Sequence, residues 1–124
     1  MPAPAEYVST LFHGRATPDK VTVALTMALN ARLKGHGSCL ILMADGVTLA
    51  LPGGVDGIDI GQPFEPASEL LRKYRELGGR VAVCKSCMLH HGLAAEQLTQ
   101  GCEIVSAPEV IDLVMSARGT LQIA

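Results

Sequence analysis

Ser38-Cys39-Leu40-Ile41-Leu42-Met43 is a continuous apolar run, entered through Gly35-His36-Gly37 and left through Ala44-Asp45-Gly46. A strand with one wet face would alternate apolar and polar residues, so an unbroken run reads as a strand covered on both faces, as in a parallel sheet. Upstream, Tyr7 to Phe12 is short and β-prone and reads as a first strand. Between the two lies a helix start. Thr17 is placed to cap free backbone amides, Pro18 suits the first helical position, and Asp19 opposes the positive helix end. The helix is expected to run to about Lys34. Together these segments make a β-α-β unit. In the helix Val21, Leu25 and Ala28 share one face while Val23, Met27 and Ala31 lie round the cylinder. That stripe is wider than one sheet contact needs, and predicts contact with a neighbouring subunit.

Downstream, Asp45-Gly46, Pro52-Gly53-Gly54, Asp56-Gly57, Gly61 and Pro63 predict a long loop with short extended pieces from Ala44 to Glu65. Pro66 opens a second helix, with Leu70, Tyr74 and Leu77 at i, i+4 and i+7 and Gly78-Gly79 as its stop. Arg80 to Cys84 is a third strand. Cys87 to Thr99 is helical in pattern but broken by Gly92, which predicts two short turns of helix. Glu103 to Val105 is a fourth strand, and Ser106-Ala107-Pro108-Glu109 matches a capping box for a last helix ending near Arg118-Gly119. Thr120 to Ile123 is a final strand. The reading is one α/β domain over residues 1–124: a mainly parallel five-stranded sheet with helices on both faces.

Composition narrows the function. With 10 Lys and Arg against 12 Asp and Glu, the net charge of -2 lacks the basic footprint that phosphate backbones require. Two Phe, two Tyr and no Trp leave almost no platform on which bases can stack. No nucleic acid is expected as a partner. The apolar runs are too short to span a membrane, and the Pro-rich start lacks a basic segment followed by an apolar one, so the expectation is a soluble, unprocessed, cytoplasmic protein. A mean hydropathy of +0.31 is high for so short a chain and predicts apolar surface covered in a homo-oligomer.

Val81-Ala82-Val83-Cys84-Lys85-Ser86-Cys87-Met88-Leu89-His90-His91-Gly92 carries the chemistry. Cys84 falls at a strand's carboxyl end and Cys87 at a helix start, where ligand chemistry collects in such sheets. A thiol of pKa about 8.5 is only a few per cent ionised at neutral pH, and positive potential that lowers it to about 6.5 makes the thiolate the majority form. Helix amides, Lys85, His90 and His91 are the available sources. The bland alternative is that Cys84 continues the buried strand as a small hydrophobe. Three chemistries fit the pair. Cys-x-x-Cys with one histidine and Cys102 can complete a zinc shell, although a second Cys-x-x-Cys is absent and adjacent helical histidines diverge by about 100 degrees. Dithiol redox exchange uses the same spacing. Nucleophilic sulfur handling uses a thiolate that takes sulfane sulfur as a persulfide and passes it on.

Other polar residues have plainer readings. Cys39 reads as core packing and Cys102 as structural at the amino end of the sheet. His13 is within reach of the rim, His36 is a turn residue, Asp45 either orients a rim group or only makes its turn, and Ser86 is either a helix cap or a catalytic hydroxyl. The loop from Pro52 to Gly61 lacks both phosphate-loop and dinucleotide-loop spacing, which excludes nucleotide binding there.

The order of motifs, Thr10 to Gly14, Gly35-His36-Gly37, Asp45-Gly46-Val47 and then Val83-Cys84 through Gly92-Leu93, resembles the DsrE/DsrF/TusD sulfur-relay family over nearly the whole chain. The resemblance implies a small α/β protein of YchN-like fold, assembled as a trimer or hexamer, that exchanges sulfur with donor and acceptor proteins and needs no cofactor. It also implies a persulfide on a cysteine after a central strand, a position that Cys84 matches. Many members continue towards an Arg-Arg-Gly-like step, whereas this chain has Lys85-Ser86-Cys87 and then His90-His91-Gly92. On this reading Cys84 is the nucleophile, Cys87 an auxiliary thiol that either resolves the persulfide or carries sulfur itself, and Lys85, His90 and His91 stabilise a thiolate.

Overall fold

The computed structural model describes residues 2–124. Five strands, β1 (Tyr7–Leu11), β2 (Ser38–Leu42), β3 (Arg80–Cys84), β4 (Glu103–Val105) and β5 (Gly119–Ile123), form one sheet in the order β4-β3-β2-β1-β5. Every pairing is parallel, so all carboxyl ends share one edge. Strand β2 is central and buried along its whole length, as its apolar run requires.

Helices α1 (Pro18–Leu33), α2 (Ala67–Glu76) and α3 (Lys85–His90) bury their apolar sides on one face. There Leu11, Leu40, Leu42, Val81 and Val83 meet Leu25 and Leu29 of α1, Leu70 and Tyr74 of α2, and Met88 of α3. Helix α4 (Ala107–Ser116) covers the other face, setting Val110 and Leu113 against Val8, Cys39, Ile41, Ala82 and Val105. The expected α/β sheet with helices on both faces is the one observed, and it is wholly parallel. At the start of α4 the capping box forms: the Ser106 hydroxyl accepts from the Glu109 backbone N–H, and the Glu109 carboxylate accepts from Ser106.

Three local expectations need correction. The Thr17 hydroxyl does not cap α1; it sits 3.3 Å from His13 Nδ1 instead. Leu77 lies beyond the end of α2 and is exposed, because Leu70 and Tyr74 already fill the contact. The segment after β2 is no open loop: residues Ala44–Ala50 wind into a 3₁₀ helix, and Val47, Leu49, Ala50, Val55 and Ile58 join the core. Gly46 permits this. A Cβ there would lie 2.4 Å from the Leu11 carbonyl oxygen, so only glycine lets the segment press against the carboxyl end of β1. The result is a floor beside the sheet's carboxyl edge, next to the turn from β3 into α3.

Candidate functional site

Strand β3 runs into α3 with no intervening loop. Cys84 occupies the N-cap position in extended conformation and makes no side-chain cap, which puts Cys87 in the first turn of α3. The two side chains are neighbours across the first turn of the helix, at its N-cap and third positions. The sequence reading set both thiols within reach of solvent. Cys84 is only 4% exposed, whereas Cys87 is partly exposed and lines an open groove of ≈ 370 Å³ with Ala44, Ser86, His90 and His91.

The electrostatics of Cys87 also depart from the expectation of a lowered thiol pKa. Burial pushes the Cys87 thiol up, a backbone hydrogen bond from Ala44 works the other way, and the adjacent Cys84 thiol adds to the rise. Ala44 holds its amide there in a left-handed conformation at φ 49, a mildly strained geometry for a residue with a Cβ. Nothing in Ala44-Asp45-Gly46 beyond turn propensity signals that role, and the sequence reading missed it. Lys85 is exposed and its charge acts on Glu109, where it helps to hold that carboxyl below its ordinary value after the bonds from Ser106.

The two histidines diverge as helical geometry requires, their rings edge-to-face at 90° with centroids 5.8 Å apart. His91 turns to the 3₁₀ segment, where its Nε2 lies 3.5 Å from Asp45 Oδ1. Asp45 therefore meets a rim group, one of the two readings open to it. His91 also follows Cys87 by four residues, with its backbone N–H donating to the Cys87 carbonyl at 3.0 Å, so the thiol and the imidazole share one side of α3. Chemically, the groove offers a thiol that needs a proton acceptor and an imidazole anchored by a carboxylate.

The remaining candidates lie elsewhere. His13 sits between Thr17 Oγ1 at 3.3 Å and Lys20 Nζ at 3.4 Å. Cys39 is fully buried, and burial pushes its thiol up to about 12. Cys102 is at the amino end of β4, beside Thr99 Oγ1 and Arg75 Nη2. Ser86 is exposed and caps nothing. Among the described residues no group of three or more His, Cys, Asp or Glu side chains is arranged to hold a metal ion, so the zinc reading finds no ligand set. No helix among them is long and apolar enough to cross a membrane.

A small, wholly parallel α/β sheet with paired thiols at its carboxyl edge thus defines the class of protein. The model of the DsrE/DsrF-like family matches residues 7–123, and the chain belongs to that family, whose members generally serve sulfur relay with partner proteins. Among solved structures it is similar to the ychN protein from E. coli, with a TM-score of 0.76 and 23% identity over 94% of this chain and 97% of that one. It is also similar to MTH1491 from Methanobacterium thermoautotrophicum, a protein of unknown function, with a TM-score of 0.59 and 15% identity over 88% of this chain and 86% of the other. Likeness at these identities shows the fold. A search of curated proteins finds no match.

Proposed function

We propose that this chain is a sulfur carrier, which accepts sulfane sulfur as a cysteine persulfide at the Cys84/Cys87 rim and passes it to a thiol of a partner protein. The observation that carries this reading is the pair of adjacent cysteines at the end of β3, beside an open groove, in a chain of the DsrE/DsrF-like family. Cys84 holds the position of the family's persulfide cysteine, and Cys87 is the auxiliary thiol. In the transfer, a thiolate attacks the outer sulfur of the donor persulfide, the donor's S–S bond breaks, and the donor thiolate leaves with the electron pair. No organic cofactor takes part. His91, held near Asp45, takes the proton released when the groove thiol ionises, with His90 in the groove wall and Lys85 between the two cysteines as the further candidates to stabilise a thiolate.

Self-assembly as a trimer or hexamer belongs to the same reading. It is supported by Ile111 and Met115, one turn apart on the outer side of α4 and 60% and 79% exposed. A cytoplasmic setting suits four free cysteines, since thiols persist where the compartment is reducing. The adjacency of the two sulfurs also favours a second reading, dithiol redox exchange, in which the pair cycles through a disulfide.

Intact mass separates these outcomes. After exposure to a persulfide donor, wild-type protein is expected to gain sulfur that a reductant removes, and the C84S/C87S double variant to gain none. Equal uptake by the double variant would refute the assignment.

A further inference from the structure

We infer that the two rim cysteines divide the work: Cys87 is the port at which sulfur enters and leaves, and Cys84 is the sheltered store behind it. The inference rests on the carrier reading above and deepens it. Three observations carry it. Cys84 is 4% exposed, so a thiol group of a partner protein cannot reach its sulfur in line while the fold is closed. Cys87 is partly exposed and forms part of the groove wall, with Ala44, Ser86, His90 and His91 around it. Cys84 is the N-cap of α3 and Cys87 its third residue, a spacing that brings the two side chains together, as sulfur transfer between them needs.

The sequence of steps balances without an outside oxidant or reductant. A donor persulfide gives its outer sulfur to the Cys87 thiolate. The donor's S–S bond breaks, a bond forms between Cys87 Sγ and the sulfane sulfur, and the donor thiolate leaves with the electron pair. Cys84, once ionised, then attacks that same outer sulfur. The bond to Cys87 breaks, the persulfide now stands on Cys84, and Cys87 recovers the proton that Cys84 lost. The sulfane sulfur keeps its oxidation state throughout. Release runs the steps backwards onto an acceptor thiolate. Burial of the store protects the persulfide from adventitious thiols, because exchange at sulfur requires access for the attacking thiolate. Attack on the inner sulfur instead of the outer one would close a Cys84–Cys87 disulfide and expel sulfide.

Lys85 makes the test direct. It lies between the two cysteines, so cleavage after it separates them, and fragmentation of the Ser86–Arg118 peptide tells Cys87 from Cys102. Full-length protein is pulsed with glutathione persulfide, quenched with an alkylating agent at successive times, and analysed by peptide mass. In wild type the added sulfur is expected first on Cys87 and later on Cys84. In C87S and C87A, loading of Cys84 is expected to slow by about tenfold or more, since a buried sulfur is reached only through local opening. In C84S, the added sulfur is expected to remain on Cys87, with no later transfer, and to be lost to added dithiothreitol faster than from wild type. Loading of Cys84 at the wild-type rate in C87S and C87A would overturn the division while leaving the carrier reading intact. A Cys84–Cys87 disulfide with free sulfide in wild type would overturn it as well. Wild-type protein that takes up no sulfur at all would overturn the carrier reading itself.

Discussion

The two ends of the sheet hold two cysteines each and treat them in opposite ways. At the amino end a network of hydrogen bonds ties Arg80, Glu103, Tyr74 and Ser38 together. Arg80 clasps Glu103 through Nε and Nη2, both at 2.8 Å, and donates from Nη1 to the Ala3 carbonyl. The Tyr74 hydroxyl, fully buried, donates to the Arg80 carbonyl at 2.7 Å and lies 3.0 Å from Ser38 Oγ. Cys39 sinks beneath this network, and Cys102 packs beside Arg75 and Thr99. At the carboxyl end the chain instead passes directly from strand to helix, and a thiol, two imidazoles and the largely exposed Asp45 side chain surround an open groove. The same residue type is a small hydrophobe at one end and reagent at the other. What differs is which groups are packed or paired over it.

Differential alkylation of the native protein should show that contrast at its largest. With its thiol pushed up to about 12, Cys39 has roughly one part in ten thousand of thiolate at pH 8, and it is buried besides. Cys87 is expected to label first and Cys39 only on unfolding. Because burial raises the Cys87 thiol, its labelling rate should keep climbing above the ordinary thiol value of about 8.5; a plateau below that pH would show an activated thiolate instead.

The amino end is then open to attack through its hydrogen bonds. Tyr74→Phe removes the donor to Arg80 and the partner of Ser38, and should cost about 1–3 kcal/mol in denaturant unfolding while sulfur loading at the rim stays unchanged. A smaller effect is expected from the Arg80–Glu103 pair. The hydrogen bond from Arg80 holds the Glu103 carboxyl below its ordinary value, so its stabilisation is present above the unfolded glutamate value of about 4.3 and is lost as pH falls through the lower folded value. With Glu103 37% exposed, solvent screening limits the pair to about 1 kcal/mol. Melting curves of Glu103→Gln between neutral and acid pH should accordingly show a slightly shallower loss of stability than wild type. Smallest of all, Asp45→Asn loosens His91 without touching a thiol, and sulfur transfer should slow by about twofold because the carboxylate is well solvated.

Much of this was legible in the sequence, because the relevant signals are local. The run from Ser38 to Met43 announces a strand covered on both faces, the Ser106-Ala107-Pro108-Glu109 box announces a helix start, and Gly92 breaks the rim helix where it was expected to. Parallel topology then sends Cys84 and Cys87 to the carboxyl edge and Cys102 to the amino edge. What could not be read depends on what folds over each residue. Residues Ala44–Ala50 look like loop from their turn formers, yet the close approach of Gly46 to β1 makes them packed structure and the floor beside the rim. The shelter over Cys84 and the desolvation that raises the Cys87 thiol are equally tertiary effects. Thr17 illustrates the converse: its local signal for a cap was sound, but its hydroxyl lies beside the His13 ring instead.

Following radiolabelled sulfane sulfur off the loaded protein tests the central claim most directly. Wild-type protein carrying the label is mixed with glutathione, and both the label and the protein mass are followed. The account expects the label to appear as glutathione persulfide while the protein returns to its unloaded mass with all thiols free. Label released as sulfide together with a Cys84–Cys87 disulfide would contradict it.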